Sequence, residues 1–203
     1  MNHPERMISR RRLLQTAAGT SFTVLWLSNG SKIVAQTPTP PIEYKEAPSL
    51  ATLVSTGSLP PVTDRLPRDP LVVTPVERIG TYGGTWRTAL VGGADTLWLE
   101  RTVGYEYLVR FAPEWNEIVP GIAAAYEVNE ASTEYTFTLR DGMKWSDGQP
   151  FGIEDILFYA NDVYLNAELT AGPGRTPFTV EQVDDLTFKV IFAEPNGLFL
   201  TTL

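Results

Sequence analysis

A chain of 203 residues, with 43% hydrophobic, 20% charged and 11% aromatic side chains, is long enough to bury a core. Its 24 acidic against 16 basic residues, a net charge of −8, leave no basic footprint of the kind a nucleic-acid partner requires. With no cysteine, and His3 as the one histidine, the sequence excludes a disulfide framework, a thiolate zinc site, a Cys nucleophile, a lipid-modified cysteine, a His-based triad and a multi-His metal site.

Charge is unevenly placed. Residues 1–35 hold Arg6, Arg10, Arg11, Arg12 and Lys32 against Glu5 alone, while residues 36–203 hold 11 basic and 23 acidic side chains. Such asymmetry marks a segment with a separate task. The run Ser9-Arg10-Arg11-Arg12-Leu13-Leu14-Gln15 precedes a mildly apolar stretch over residues 16–27, far below the ~20 residues that span a bilayer. Ala35 before Gln36 supplies the small residue ahead of a cut, completing the layout of a secretory signal. Ser9, Arg10, Arg11, Leu13 and Leu14 resemble the twin-arginine export signal, S/T-R-R-x-F-L-K, with Leu13 in place of Phe and Gln15 in place of Lys. The expectation is a signal peptide over residues 1–35, export of a folded chain by the twin-arginine translocase, and a periplasmic or cell-surface location. A basic N-terminal arm and an uncleaved membrane anchor are the alternatives.

Residues 36–75 carry nine of the 16 prolines, with Pro40-Pro41 and Pro60-Pro61 adjacent. Proline fixes φ and removes backbone donors, so this stretch reads as an extended, solvated spacer. Order is expected from Val76. Gly83-Gly84 precedes Thr85-Trp86-Arg87-Thr88-Ala89-Leu90-Val91, a strand candidate stopped by Gly92-Gly93. Asp95 can cap a short helix through Leu97, Trp98 and Leu99. Residues 105–111 read as extended, and residues 118–125, with Pro120-Gly121 inside, as a turn and short helical piece.

The clearest pattern follows. Tyr135, Phe137 and Leu139 alternate with Thr136, Thr138 and Arg140, the period of a half-buried strand. Asp141-Gly142 then supplies a hairpin turn, and Met143-Lys144-Trp145 a return strand with Trp145 filling core. After Pro150, Ile153, Ile156, Leu157, Ala160 and Tyr164 form one helical stripe, with Glu154 and Asp155 in the first turn. Residues 180–183 and 187–192 read as a second strand pair around Asp184-Asp185, with Phe188, Val190 and Phe192 as its apolar face. Asn196-Gly197 opens a further apolar element in which the sequence stops, the pattern of the first portion of a larger protein.

The block from Tyr135 to Ile156, Y-T-F-T-L-R-D-G-M-K-W-S-D-G-Q-P-F-G-I-E-D-I, resembles the signature of family 5 extracellular solute-binding proteins of ABC transporters, the oligopeptide, dipeptide and nickel group. Gly83-Gly84-Thr85-Trp86-Arg87, Tyr107-Leu108-Val109-Arg110-Phe111, Val183-Asp184-Asp185-Leu186-Thr187-Phe188-Lys189-Val190 and Glu194-Pro195-Asn196 resemble further segments of that family in the same order. Gly152 stands where the family has Thr. The resemblance implies an α/β, periplasmic-binding-protein-like fold of type II, two lobes and an extra subdomain, with residues 76–203 covering only its N-terminal part. It also implies a substrate-binding component of an ABC importer, with a small solute or peptide as ligand, membrane permease subunits as partners, no enzymatic activity and no cofactor.

For ligand contact the loop Gly92, Gly93, Ala94 and Asp95 is the first candidate, because glycines let a backbone approach a ligand and Asp95 can meet a cationic group. Asp95 as a simple helix cap is the competing reading. Trp98 and Tyr105 can line an apolar pocket, or pack in the core. Glu154 and Asp155 are adjacent on a helix and point apart, so they are not the facing carboxylates a glycosidase needs. The alternative function is an exported carbohydrate-active hydrolase with its catalytic residues elsewhere. A carbohydrate-binding or adhesion module is disfavoured by the helix after Pro150.

Overall fold

The computed structural model describes residues 22–26, 30–36, 44–104, 106–169 and 176–203. The expected signal residues Ser9, Arg10, Arg11, Leu13 and Leu14, and the candidate Tyr105, lie outside the described residues.

Alternation builds the central sheet. β6 (Glu134–Leu139) buries Tyr135, Phe137 and Leu139 and turns its threonines outward. β8 (Thr187–Phe192) repeats the pattern with Phe188, Val190 and Phe192, and β7 (Phe178–Gln182) pairs along its outer side. On the other side β5 (Ala123–Val128) pairs with β6, and β2 (Lys32–Gln36) and β1 (Phe22–Trp26) follow. The order is β1-β2-β5-β6-β8-β7, antiparallel at every named pairing. Register places Val34, Tyr126, Phe137 and Phe188 in one row across four strands, so one face collects the apolar side chains. Phe199, on a short 3-10 turn Phe199–Thr201, closes this face against Tyr135 and Phe192, each with ring centroids 4.9 Å away. Such edge-to-face pairs add ~0.5–1.5 kcal/mol beyond their area.

The helical stripe after Pro150 forms as the sequence indicates. α4 (Ile153–Phe158) continues as a wider π turn over Tyr159–Tyr164, burying Ile153 and Ala160 and leaving Glu154, Asn161 and Asp162 in water. β3 (Val109–Phe111) and β4 (Ile118–Pro120) make a separate two-stranded hairpin.

Four local expectations are corrected. Residues 85–91 form no strand: none of the described strands pairs with them, and a strand without a ladder leaves its backbone groups to water. Residues 118–125 hold β4 and the start of β5 rather than a helical piece, because pairing with β6 and β2 overrides the helix preference of Ala123-Ala124-Ala125. Met143-Lys144-Trp145 does not return along β6, whose neighbour is β8. Instead Lys144 bridges Pro150, and Trp145 is 50% exposed against the edge of Phe151 rather than in the core. The Pro-rich stretch is not extended throughout: α1 (Ala51–Ser55) and α2 (Val62–Arg65) form within it. Its prolines flank these helices, Pro61 standing as the N-cap residue of α2, where a fixed φ costs nothing. Residues 22–26 and 32–36, which include the end of the expected signal segment, are paired strands, and Ala35 sits between β1 and β5 partners.

The connection from α2 is stitched to the turn after β6. Arg68 N–H donates to Asp141 O at 3.1 Å, Lys144 Nζ to Asp64 O at 2.8 Å, and the buried Arg140 to Asp69 O at 2.8 Å. Gly142, at φ 80°, makes the turn that presents these groups.

Candidate functional site

The predicted loop follows residues 85–91, which pair with none of the described strands. Gly92 adopts an extended conformation ahead of a 3-10 turn, Gly93–Asp95, which leads into α3 (Thr96–Leu99) and a π turn, Glu100–Gly104. Asp95 Oδ2 accepts the backbone N–H of Val91 at 2.7 Å and of Gly92 at 3.3 Å. Thr96 Oγ1 donates to Gly93 O at 2.8 Å. The carboxylate therefore closes the turn, which is the capping role, and its second oxygen remains available to a ligand. Nothing lies within 4 Å of where a side chain on Gly92 or Gly93 would point, so the chain's own packing does not require these glycines and their backbone is open to approach. Ala94 is exposed beside them.

Trp98 does not pack in the core. It is 41% exposed and meets Trp86 edge to face, centroids 5.5 Å apart at 63°. Trp86, the residue the sequence reading missed, is 65% exposed. Its signal was available: an aromatic two residues after the Gly83-Gly84 pair, whose φ angles are positive (101° and 81°), on a segment left without a strand partner. Together the turn and the two indoles make an aromatic corner beside open backbone. This equipment suits non-covalent recognition, since an indole face takes apolar ligand surface and carboxylate and backbone groups take polar atoms.

Elsewhere the carboxylate pairs serve structure. Asp155 Oδ2 accepts the N–H of Gly152 at 2.9 Å, and Asp184 Oδ1 that of Leu186 at 2.8 Å. That bond, the largest cause, holds the Asp184 carboxyl below its ordinary pKa. Among the described residues no group of three or more His, Cys, Asp or Glu is arranged to hold a metal, and no helix is long and apolar enough to cross a membrane.

Residues 117–203, from the tip of the β3–β4 hairpin to the last residue, match the model of bacterial extracellular solute-binding proteins, family 5 middle. This segment belongs to that family. β4 to β8, the turn after β6 and α4 all lie within the matched segment. Among curated relatives, the periplasmic alpha-galactoside-binding protein of Rhizobium meliloti (strain 1021) is 31% identical over 179 residues, 75% of this chain and 26% of the relative. The dipeptide-binding protein of Escherichia coli (strain K12) is 32% identical over 119 residues, 49% of this chain and 22% of the relative. Among solved structures, an oligopeptide-binding protein OppA superposes with a TM-score of 0.72 at 42% identity, covering 80% of this chain and 26% of that one. The chain therefore spans about a quarter of the length of these family 5 proteins.

Proposed function

We propose that this chain belongs to the substrate-binding component of an ABC importer, which captures a solute outside the cytoplasmic membrane and hands it to the permease. Family 5 membership of residues 117–203 carries this reading, supported by relatives that are binding proteins for an alpha-galactoside and for dipeptides. The mechanism is hinge closure: a ligand that touches both lobes binds the closed form better and shifts the population toward it. It needs no covalent step, so the protein acts as a receptor rather than an enzyme. Residues 1–35 act as a twin-arginine signal read through Arg10 and Arg11, and replacing both with lysine would leave the protein in the cytoplasm.

Within the reach of the family, an oligosaccharide is favoured over a peptide. The Trp86–Trp98 corner carries this preference, offering the flat apolar faces on which sugar rings stack; overall similarity does not decide it, since the alpha-galactoside-binding relative matches over 75% of this chain and an oligopeptide-binding structure over 80%. Gly92, Gly93, Ala94 and Asp95 then contribute polar contacts beside it. The test is a thermal-shift series on the complete protein with alpha-galactosides and with dipeptides. Saturating galactoside raises Tm, as any ligand of the native state must, and Trp86→Ala and Trp98→Ala each weaken binding about tenfold, the order expected for losing one stacked aromatic. Stabilisation by dipeptides alone would overturn the sugar assignment, and stabilisation by neither class would overturn the receptor reading.

A further inference from the structure

The β3–β4 hairpin carries a second candidate site, remote in sequence from the aromatic corner's turn. Register sets Arg110 opposite Val119, and the N–H of Ala112 donates to Glu117 O at 2.9 Å. Paired residues share a face, so Arg110, Ala112, Glu117 and Val119 all project to one side. Residues 71–76 pass over that side and leave a cleft of about 270 Å3 lined by all four. Ala112 and Val119 are buried and form a small apolar floor.

The charges on this face are arranged in an unusual way. Arg110 and Glu117 are diagonal neighbours across the hairpin, a spacing of about 7–8 Å between backbones that long side chains bridge readily. Yet among the described residues neither side chain makes a hydrogen bond or an ion pair. Arg110 is half-buried, which strips part of its hydration and leaves its fork of donors facing the cleft. Glu117 is close enough to the core to help raise the pKa of Tyr126. A cation thus stands apart from Glu117 across an apolar floor, with a second carboxylate, Glu114, also lining the cleft, in a space smaller than a drug-sized pocket.

We infer that this cleft binds a small zwitterion, an α-amino acid. Its carboxylate is held by the Arg110 guanidinium, its ammonium group by the Glu117 carboxylate, and its side chain lies over Ala112 and Val119. Charge-assisted bonds of this kind are the strong ones, and a guanidinium fork matches a carboxylate in two parallel bonds. The inference does not rest on the importer reading, because every group it uses lies within one hairpin and the strap above it.

Calorimetric titration of the full chain at neutral pH with L-leucine, leucinamide and N-acetyl-leucine tests it. L-leucine binds saturably, and each blocked analogue binds at least about tenfold more weakly. Arg110→Gln erases the preference for leucine over leucinamide, and Glu117→Gln erases the preference for leucine over N-acetyl-leucine. Both positions are at least partly solvent-facing, and thermal melts like that of the parent chain show that the variants fold. Should leucine fail to bind saturably, or bind both variants as tightly as the parent with the same preferences, the site does not exist as described. A variant that does not melt like its parent is replaced by Arg110→Lys or Glu117→Asp, in which the same preferences must weaken for the assignment to stand.

Discussion

Arg140 is only 4% exposed, and its guanidinium spans three parts of the chain: Nε donates to Gly121 O at 2.9 Å, Nη2 to Ala123 O at 3.4 Å and Nη1 to Asp69 O at 2.8 Å. Burial pulls its pKa down, with Asp69 opposing, but a guanidinium stays charged in a protein. Replacing it with Met keeps most of the volume and abandons the carbonyls. Arg140→Met should therefore cost about 2–4 kcal/mol in urea unfolding, and a change below ~0.5 kcal/mol would show that the stitch does not matter. Tyr126 sets a pH limit from the same neighbourhood. Its hydroxyl donates to Ile118 O at 2.9 Å, and burial, aided by the charge of Glu117, pushes its pKa up to about 12. An unfolded phenol titrates near ~10, so the native state holds this proton more tightly. The resulting stability is complete below about pH 10 and is lost as pH rises through about 12. Tyr126→Phe removes that term, so its Tm should fall less steeply across this alkaline window than that of the parent.

At the scale of elements, two glycines behave in opposite ways. Gly152 caps α4 in an extended conformation that any residue adopts, and a Cβ there would meet nothing within 4 Å. Gly152→Ser adds a capping hydroxyl and narrows the unfolded ensemble, a gain of about 0.5–1 kcal/mol. At Gly121 a Cβ would sit 2.4 Å from Tyr107 O, a backbone atom. Gly121→Ala must displace the hairpin and should cost at least about 1 kcal/mol. Chemical denaturation of both variants checks the signs, and a destabilised Gly152→Ser would mean that α4 is not capped in this way. The elements that were legible in the sequence explain themselves by the same physics. β6, β8 and α4 announce their period because each buries one face against the shared core. The Ala-rich start of β5 has no period of its own and is a strand only because β2 and β6 flank it. Residues 85–91 look like a strand and lack a partner, so strand propensity alone misleads there. At the candidate site Asp95 was readable from its place ahead of α3, whereas the Trp86–Trp98 contact joins two segments across a turn and no local pattern encodes it.

For the whole molecule the consequential feature is that β2 is a paired strand. It lies between β1 and β5, with Val34 2% exposed and registered on Tyr126. A cut between Ala35 and Gln36 falls inside this ladder, and proteases take extended chain released from its partners. Processing of the folded chain must then wait for local opening of β2, so denaturing the substrate first should speed the cut. Removal of residues 1–35 also strips β5 of its neighbour and exposes one side of the core. Burying a Val side chain is worth about 1.5–3 kcal/mol, and each kcal/mol moves Tm by about 2–4 °C in a chain of this size. The form beginning at Gln36 should therefore melt about 3–12 °C below the full chain. It should also self-associate more readily, since the uncovered backbone of β5 is a template for another strand. Melting curves and sedimentation of the two forms decide the matter. Equal Tm values and equal monomer content would mean that the β1–β2 hairpin contributes nothing to the stability of the sheet.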